Sequence, residues 1–264
     1  MDIKELYLSG LSSIKIAEMT GLKIYQVLYK LKKLGITLRT NKVNSKKYKY
    51  NESYFDSIDT EEQAYWLGFI FADGYVSSVN SKILGITLCY LDKEHLEKFS
   101  KAIESDRPLK TYNDKNSKSK PYTKLIICSD HLYDQVISLG VVEHKSLILQ
   151  PPKLKEILIP HFIRGYFDGD GCWAKDKKTK IGFNFKLCGT AEILDWVASQ
   201  LDLKKYKLYK RKKDNKNNYY LSISGERVRN IMKKLYENST IYLERKYKRY
   251  LQSLQSEKTA CKLC

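Results

Sequence analysis

Two aspartates, each followed by glycine, are the residues of this chain that are best suited to chemistry. Asp73-Gly74 ends the segment AYWLGFIFADG, and Asp170-Gly171 ends the segment HFIRGYFDGDG 97 residues later (170 − 73). If both segments are helices that pack together, two carboxylates meet at helix C-termini, where each opposes the helix macrodipole by about 0.3–1 kcal/mol. The carboxylates also repel each other, so the arrangement makes sense if divalent cations lie between them.

The oxygen donors at this predicted site favour Mg²⁺. With so few protein ligands, the ion keeps most of its waters and also binds phosphate oxygens. Two or more Mg²⁺ ions would then activate water and stabilise the leaving 3′ oxygen in phosphodiester hydrolysis. The alternative is that Asp-Gly simply ends each helix, with Gly74 and Gly171 in the left-handed conformation. Two such pairs, half a domain apart, favour the metal site.

Small residues at helical spacing explain how the two segments approach each other. Gly68 and Ala72 are four residues apart, and so are Gly165 and Gly169. On a helix, small residues at this spacing form a groove that admits a second backbone. We therefore predict that the two helices pack through these grooves and that their last turns lie side by side.

The chain repeats the same order of elements after each segment. Residues 75–138 and residues 172–237 each read as two strands, a helix, two strands and a helix. With the leading helix, the predicted unit is αββαββα, present twice, which gives a duplicated α+β fold. We assign residues 59–150 to the first repeat and residues 151–264 to the second repeat and a C-terminal tail.

Residues 1–40 are predicted to form three short helices. Ser12 or Ser13 caps the second helix, and the third runs from about residue 23 to residue 34. Ala17, Gly21 and Val27 stand where a helix-turn-helix needs a small residue, a turn and a core anchor.

The segment SxxKIAExTGLxxxxVxxxLKKLGI resembles the helix-turn-helix of resolvase-like DNA-binding domains. In that case the third helix enters the major groove of DNA. The residues that it would turn outward are Lys23, Tyr25, Gln26, Tyr29 and Lys30. The alternative is an ordinary three-helix cap with a polar outer face.

The charge of the chain points to a polyanion as its partner. Its 264 residues include 48 Lys and Arg against 30 Asp and Glu, a net charge of +18. Nucleic acid is the leading candidate, and the alternative is a lysine-rich proteome with solvated faces. Residues 41–58 are basic and rich in tyrosine, and we predict a linker that lies along phosphates or merely acts as a spacer.

Other classes of protein are disfavoured. The sequence has no run of eighteen apolar residues, no apolar secretion signal, no P-loop and no HExxH pair. The six cysteines are expected to be thiols, and Cys261 and Cys264 supply only half of a zinc site. We therefore expect a cytoplasmic, nucleoid-associated monomer with no membrane contact.

The segments WLGFIFADG and IRGYFDGDG resemble the motif of the LAGLIDADG homing endonucleases in their single-chain, two-motif form. The resemblance covers residues from about 54 to 250. Two residues depart from the motif: Phe71 replaces a frequent acid, and Arg164 occupies a position that is usually small or apolar. Neither departure touches the final acid of either segment.

The resemblance implies a fold and a mechanism. The fold is a pseudo-twofold saddle of two four-stranded antiparallel sheets over DNA, with the motif helices at the seam. Asp73 and Asp170 are implied to bind the metal ions, together with the main-chain carbonyls of Ala72 and Gly169. The implied product is a staggered cut of both strands.

The resemblance also implies one lysine from each repeat near the scissile phosphates. The segment LGVVEHKSLILQPP closes the first repeat and nominates Lys145, and IYLERKYKRYL closes the second and nominates Lys246. A generic contact with phosphate is the alternative role for both lysines.

Strands of the second repeat are predicted to read the DNA sequence in the major groove. The outward residues of two strands are expected to be Lys205, Lys207, Tyr209, Arg211, Lys213, Asn184 and Lys186. A shift of one residue in register would invert each of these assignments.

These patterns together predict a site-specific DNA endonuclease of a mobile element with an N-terminal helix-turn-helix. Two other functions would use the same basic surface. One is a non-catalytic DNA-binding regulator on the same fold, and the other is a maturase that helps an intron RNA to fold.

Overall fold

The computed structural model describes residues 2–38, 48–113, 120–176, 178–179, 182–210 and 217–261, with side chains up to residue 254. The chain forms two compact units, Met1–Lys47 and Tyr48–Cys264. Among the residues predicted to be functional, Arg211 and Lys213 lie outside the described residues, as do residues 41–47 of the predicted linker.

The first unit contains three short helices, α1 (Ile3–Leu8), α2 (Ser13–Thr20) and α3 (Ile24–Lys33). The Ser12 hydroxyl caps α2 by accepting the backbone N–H of Lys15 at 3.2 Å. Gly21 then turns the chain in the left-handed conformation (φ 67°), which glycine adopts without a steric cost. The core of this unit consists of Tyr7, Ile16, Ala17, Val27 and Leu31.

The second unit contains both predicted repeats. The first comprises α4 (Glu61–Asp73), β1 (Gly74–Ser77), β2 (Ile83–Cys89), α5 (Lys93–Ala102), β3 (Lys110–Tyr112), β4 (Tyr122–Ile127) and α6 (Asp130–Ser138). The second comprises α7 (Ile159–Asp170), β5 (Gly171–Lys175), β6 (Phe183–Gly189), α8 (Ala191–Gln200), β7 (Leu208–Lys210), β8 (Tyr219–Ile223) and α9 (Arg227–Tyr236). A further helix, α10 (Glu244–Cys261), follows. The predicted duplicated αββαββα fold is therefore confirmed.

Each repeat forms one four-stranded antiparallel sheet with the same strand order. The orders are β1-β2-β4-β3 and β5-β6-β8-β7. The registers also correspond, because Gly74 pairs with Ile86 and Gly171 pairs with Leu187. In both sheets, buried apolar residues alternate with more exposed residues along the strands. One face of each sheet therefore joins the common core, and the other faces outward.

Residues 48–58, which the composition predicts to be part of a linker, pack against the first repeat instead. Phe55 is fully buried, and Tyr54 and Ile58 join the same core. The backbone N–H of Asn51 also donates to the Ile103 carbonyl at 2.7 Å. The aromatic side chains explain this difference, because burying them gains more free energy than leaving the segment in solvent.

The helices α4 and α7 lie backbone to backbone at the predicted glycines. A Cβ on Gly68 would lie 2.0 Å from the Phe162 carbonyl oxygen, and a Cβ on Gly165 would lie 1.9 Å from the Tyr65 carbonyl oxygen. Farther along, a Cβ on Gly169 would lie 2.3 Å from the Ala72 Cβ. Only a residue without a side chain fits at these places, and the contact brings the C-terminal ends of the two helices together.

The glycines that follow the two acids are not in the left-handed conformation of a simple helix stop. Gly74 has φ −76° and Gly171 has φ −96°, so both are extended and start a strand. Glycine is required there for space, since a Cβ would lie 2.7 Å from the Ile70 carbonyl oxygen or 2.1 Å from the Phe167 ring. The helix-to-strand junction is therefore sharp at both acids.

Arg164, one of the two departures from the motif, is buried between the repeats. Its Nη2 donates to Glu61 Oε1 at 2.6 Å, while its Nε and Nη1 donate to the carbonyls of Ile241 and Leu235 at 2.8 and 2.9 Å. Its charge is thus paired and its donors are used, as burial requires. The residue joins α4 to the segment that leads into α10.

Replacing Gly165 with alanine tests the close approach of α4 and α7. We expect Gly165→Ala to lower the free energy of unfolding by about 3 kcal/mol or more, because a backbone carbonyl occupies the place of the new Cβ. Gly225→Ala is the control, since its Cβ meets no described atom within 4 Å and only left-handed strain of about 1–2 kcal/mol arises. Urea denaturation of both variants checks this prediction. Equal losses would contradict it.

Candidate active site

The two motif acids occupy the last residues of α4 and α7. Asp73 is partly buried, and Asp170 is exposed in a concave surface where protein atoms surround it closely. Burial, and next the neighbouring Asp73 carboxylate, raise the pKa of Asp170 to about 6. Burial also raises the pKa of Asp73, against the opposing effect of nearby lysines. The fold thus holds two mutually repelling carboxylates at one place.

Two lysines reach the carbonyl groups at these same helix ends. Lys145 Nζ donates to the carbonyl oxygen of Ala72. Lys246 Nζ donates to the carbonyl oxygens of Phe167, of Asp168 at 2.7 Å, and of Gly169 at 3.5 Å. Each ammonium group donates to carbonyls of the last helical turn and opposes the negative end of the macrodipole.

The two lysines differ in their access to solvent. Lys246 is only 2% exposed, and burial lowers its pKa to about 8. Lys145 is partly exposed, and burial lowers its pKa while Asp170 and Asp73 oppose that change. Both lysines also lie near both acids, because the charges of Asp73 and Asp170 oppose the effect of burial on the pKa of each lysine.

A cavity of about 290 Å³ opens beside Asp170 and Lys145. Residues from both repeats line it, including Phe71, Ala72, Tyr166, Thr190 and Asn218. Its size admits several water molecules, and its walls carry a carboxylate, an ammonium group and hydroxyl groups.

Asp168 is a functional candidate that the sequence pattern did not reveal. It is fully buried at the motif position where the first repeat has Phe71. Its carboxylate accepts the hydroxyls of Tyr65 and Tyr236 at 2.8 and 2.6 Å and the backbone N–H of Leu243 at 2.7 Å. Burial raises its pKa. An acid inside an otherwise apolar helix face was the available signal.

Asp168 also lies at the end of a buried chain of polar groups between the repeats. The Tyr65 hydroxyl contacts His95 Nε2 at 2.9 Å as well as Asp168. Burial lowers the pKa of His95 to about 3, so this histidine is neutral. The chain of contacts fixes the seam between the repeats and does not reach the cavity.

The oxygen ligands at the two acids suit a hard cation whose remaining ligands come from outside the chain. Among the described residues, no group of three or more His, Cys, Asp and Glu side chains is arranged to hold a metal ion. The Ala72 and Gly169 carbonyls, also expected as ligands, accept N–H groups of Lys145 and Lys246 here. A carbonyl oxygen has a second lone pair, so these contacts still leave an acceptor.

The outward face of the second sheet carries part of the residue set predicted to read DNA. Asn184 and Lys186 alternate with the buried Phe183, Phe185 and Leu187 on β6, as their assignment requires. The Asn184 amide is held in place, since its Nδ2 donates to Asp176 Oδ2 at 2.9 Å.

The strand predicted to carry Lys205, Lys207 and Tyr209 begins later in the structure. Among the described residues it covers Leu208–Lys210, so Lys205 and Lys207 precede it and do not alternate on its face. The Lys205 carbonyl instead accepts a hydrogen bond from Arg227 Nη1 at 2.6 Å. Tyr209 is on the strand and exposed.

Tyrosines, three of them exposed, form matching rows on the outward faces of both sheets. Tyr112 stacks on Tyr122 with ring centres 5.2 Å apart, and Tyr209 stacks on Tyr220 at 5.1 Å. Each row continues to a cysteine on the next strand, Cys89 or Cys188. Of the four tyrosines, only Tyr209 was expected from the sequence, although their spacing of 97 or 98 residues repeats that of the motif acids.

The outward residues of α3 are placed largely as the helix-turn-helix pattern predicts. Lys23, Tyr25, Tyr29 and Lys30 are exposed, with Tyr25 and Tyr29 at 64% and 67%. Gln26 is half-buried and caps the helix itself, because its Oε1 accepts the Lys23 backbone N–H at 2.9 Å.

In the part of the chain that the structure describes, no helix has the length and apolar character that a membrane span requires.

Comparison with known proteins supports one family. Residues 159–236 match the model of the LAGLIDADG-like domain. None of the curated protein sequences matches the chain.

Solved structures with a similar fold were also found. The meganuclease I-SmaMI bound to uncleavable DNA has a TM-score of 0.51 at 13% identity, over 78% of this chain and 91% of that chain. The I-LtrWI LAGLIDADG homing endonuclease bound to target DNA has a TM-score of 0.50 at 12% identity, over 79% and 92%. The homing endonuclease I-WcaI bound to its DNA recognition sequence has a TM-score of 0.50 at 16% identity, over 75% and 91%. Residues 159–236 therefore match a LAGLIDADG-like domain, and the second unit has the duplicated fold of the LAGLIDADG homing endonucleases.

Proposed function

We propose that this chain is a site-specific endonuclease that hydrolyses phosphodiester bonds in both strands of DNA, with Mg²⁺ bound at Asp73 and Asp170. One observation carries the proposal: two acids from two repeats meet at the ends of helices that pack too closely for a side chain at Gly68 or Gly165. DNA is the substrate we infer, because the similar solved structures include proteins bound to DNA and the net charge is +18.

The residues at the proposed site fit Mg²⁺. Its preferred ligands are one or two carboxylates together with waters and substrate phosphates. Burial, and next the charge of Asp73 beside it, raise the pKa of Asp170. When bound, Mg²⁺ would supply an activated water and charge stabilisation at the leaving 3′ oxygen. Asp73 and Asp170 are the carboxylates that would hold the ion.

Lys145 and Lys246 are proposed to stabilise the negative charge that grows on the phosphate. Lys246, with a pKa of about 8, is largely protonated at pH 7. Lys145 faces the cavity beside Asp170, where a scissile phosphate would have space. Because each repeat contributes one acid and one lysine, each strand would be cut by its own half-site, which gives a staggered double-strand cut from a monomer.

The outward faces of the sheets are proposed to bind and read the DNA. Asn184, Lys186 and Tyr209 present polar and aromatic groups suited to base edges and phosphates. Lys205 and Lys207, which precede β7, are better suited to phosphate contacts than to base readout. Arg211 and Lys213 stay predictions from the sequence.

The first unit is proposed to add affinity through α3, tethered to the nuclease. An intron or other mobile element on nucleoid DNA is the setting that this activity fits. Intron RNA is the alternative partner of the same basic surface, and its binding is an outcome that the experiments below detect.

Cleavage of a randomised DNA library tests the function itself. We expect the wild type to cut selected sites in Mg²⁺ and both Asp73→Asn and Asp170→Asn to lose at least about 10²-fold in rate, because each removes a charged metal ligand. Glu156→Gln, which changes an exposed acid, serves as the control and retains activity. Tight DNA binding without cleavage would favour a non-catalytic regulator, and preferential binding of intron RNA would favour a maturase.

The burial of Asp170 beside the Asp73 carboxylate predicts a stability effect without DNA. Because the folded pKa of Asp170 is about 6, above the ordinary 3.8, its ionisation weakens the fold as pH rises from 4 to above 6. Asp170→Asn should therefore raise the free energy of unfolding at pH 7 by about 1–2 kcal/mol, after discounting for its exposure. Near pH 3 the difference should vanish, since the acid is then protonated in both states.

Denaturant titrations at both pH values, with and without Mg²⁺, measure this effect. Saturating Mg²⁺ should stabilise the wild type and have less effect on Asp170→Asn, because binding to the folded state alone adds stability. Glu156→Gln should respond to Mg²⁺ as the wild type does. A stability difference for Asp170→Asn that does not change with pH would contradict the proposed seam charge.

The exposed side chains of α3 allow a test of the first unit. Lys30→Ala should weaken DNA binding and lower the salt slope of the affinity by about one, as expected for the loss of one phosphate contact. Lys15→Ala, on α2 and also exposed, is the matched control. Fluorescence anisotropy across a range of salt concentrations measures both. Equal slopes for the two variants would argue against DNA contact by α3.

A further inference from the structure

The turn that carries Lys145 is short and is closed by its own backbone. Lys145–Leu147 form a 3-10 turn, and the Lys145 carbonyl accepts the backbone N–H groups of Ile148 at 3.1 Å and Leu149 at 3.0 Å. Leu149 is buried in the core, whereas the side chain of Lys145 is partly exposed. The position of the Lys145 ammonium group therefore depends on what holds the two ends of this turn.

The upstream end of the turn is held by the first repeat. Glu143 Oε1 accepts the hydroxyl of Ser78, which directly follows β1, at 2.8 Å and the hydroxyl of Tyr133 on α6 at 3.1 Å. The next residue, His144, has φ 54°. This left-handed conformation is uncommon outside glycine and persists where the surrounding structure holds it.

The downstream end of the turn is held by the second repeat. The Thr190 hydroxyl donates to the Leu149 carbonyl oxygen at 2.6 Å, and it also accepts the Ile193 backbone N–H at 3.4 Å as the N-cap of α8. Thr190 is 0% exposed and Leu149 is 3% exposed. Because leaving a buried carbonyl without a donor is costly, this hydrogen bond fixes the place where the turn ends.

The same threonine borders the proposed active site. Thr190 lines the cavity together with Lys145 and Asp170, and Lys145 Nζ donates to the carbonyl oxygen of Ala72 at the end of α4. The turn thus spans from a helix end of the first repeat to a helix cap of the second. The lysine of one half-site is therefore held in part by the other repeat.

We propose that Thr190 is a positioning residue for Lys145, so that the second repeat sets the lysine of the first half-site in place. The inference rests on the proposed endonuclease function. Thr190 acts through the Leu149 carbonyl, and its hydroxyl has no proton left to donate to a substrate. A shift of the turn by about 1 Å would move the ammonium group relative to the scissile phosphate, and a misplacement of this size costs up to about 10²-fold in rate.

Strand-resolved cleavage at saturating DNA tests this role. The substrate is a duplex that carries a site selected from the library and an end label on one strand or the other. Thr190→Val replaces the hydroxyl with a methyl group of similar size. We expect it to lower about tenfold the rate constant for one strand, the same strand that Lys145→Met slows.

The other strand and the DNA affinity serve as internal controls in the same assay. Lys246 is held by different contacts, since it lies in the first turn of α10, where the Leu243 N–H donates to the Asp168 carboxylate at 2.7 Å. In Thr190→Val, the rate constant for the strand that Lys246 serves should change by less than about twofold. The dissociation constant for DNA should also stay within about twofold of the wild type, because Thr190 makes no contact with the proposed substrate.

Two further variants separate positioning from a general loss of stability. Thr190→Ser keeps the hydroxyl and should recover at least about half of the wild-type rate constant for the affected strand. Thr60→Val removes the N-cap hydroxyl of α4, which accepts the Gln63 backbone N–H at 3.2 Å. This matched control should lower stability without changing the ratio of the two rate constants.

Amide hydrogen exchange in the free protein measures the turn without any cleavage. The N–H groups of Ile148 and Leu149 donate to the Lys145 carbonyl, and they should exchange about tenfold faster in Thr190→Val, because the turn opens more often. Thr60→Val should leave their exchange rates within about twofold of the wild type.

Each outcome supports or overturns the proposal. Equal slowing of both strands by Thr190→Val, no recovery in Thr190→Ser, or unchanged exchange at residues 148 and 149 would overturn the positioning role. Failure of the wild type to cut either strand would instead overturn the endonuclease function. The exchange rates would then still decide whether Thr190 holds the turn, so the two failures are distinguishable.

Discussion

The contact between the backbones of α4 and α7 is the constraint on which the rest of the structure depends. A Cβ at Gly68 or Gly165 would overlap a main-chain carbonyl oxygen of the facing helix. The close approach brings the two helix ends together, and with them Asp73 and Asp170. Because the repeats share this seam, the sheets, the lysines and the cavity are all positioned relative to it.

The seam stores unfavourable charge that other groups partly offset. Burial and proximity raise the pKa of Asp170, while Lys145 and Lys246 act in the opposite direction. The lysines also satisfy the carbonyls at the helix ends, so one pair of side chains serves both the fold and the proposed chemistry. This double use explains why the acids are tolerated in the folded protein before any cation is bound.

The sequence predicted the parts that depend on local pattern. Motif spacing located Asp73 and Asp170, capping and helical spacing located helices, and alternation located most strands. The role of Asp168 was not predictable, because it depends on Tyr65, Tyr236 and Leu243, which come from separate parts of the chain. The late start of β7 was missed for a similar reason, since the Lys205 carbonyl before it bonds to Arg227, which comes from a later helix.

The central claim is that Asp73 and Asp170 form one coupled, cation-binding pair. Nuclear magnetic resonance titration of the carboxyl carbons of both residues, with and without Mg²⁺, measures that coupling directly. The account predicts one apparent pKa near 6 without Mg²⁺, a dependence of each titration on the other residue, and a fall in the apparent pKa when Mg²⁺ is added. Two independent titrations near the ordinary value, unchanged by Mg²⁺, would contradict it.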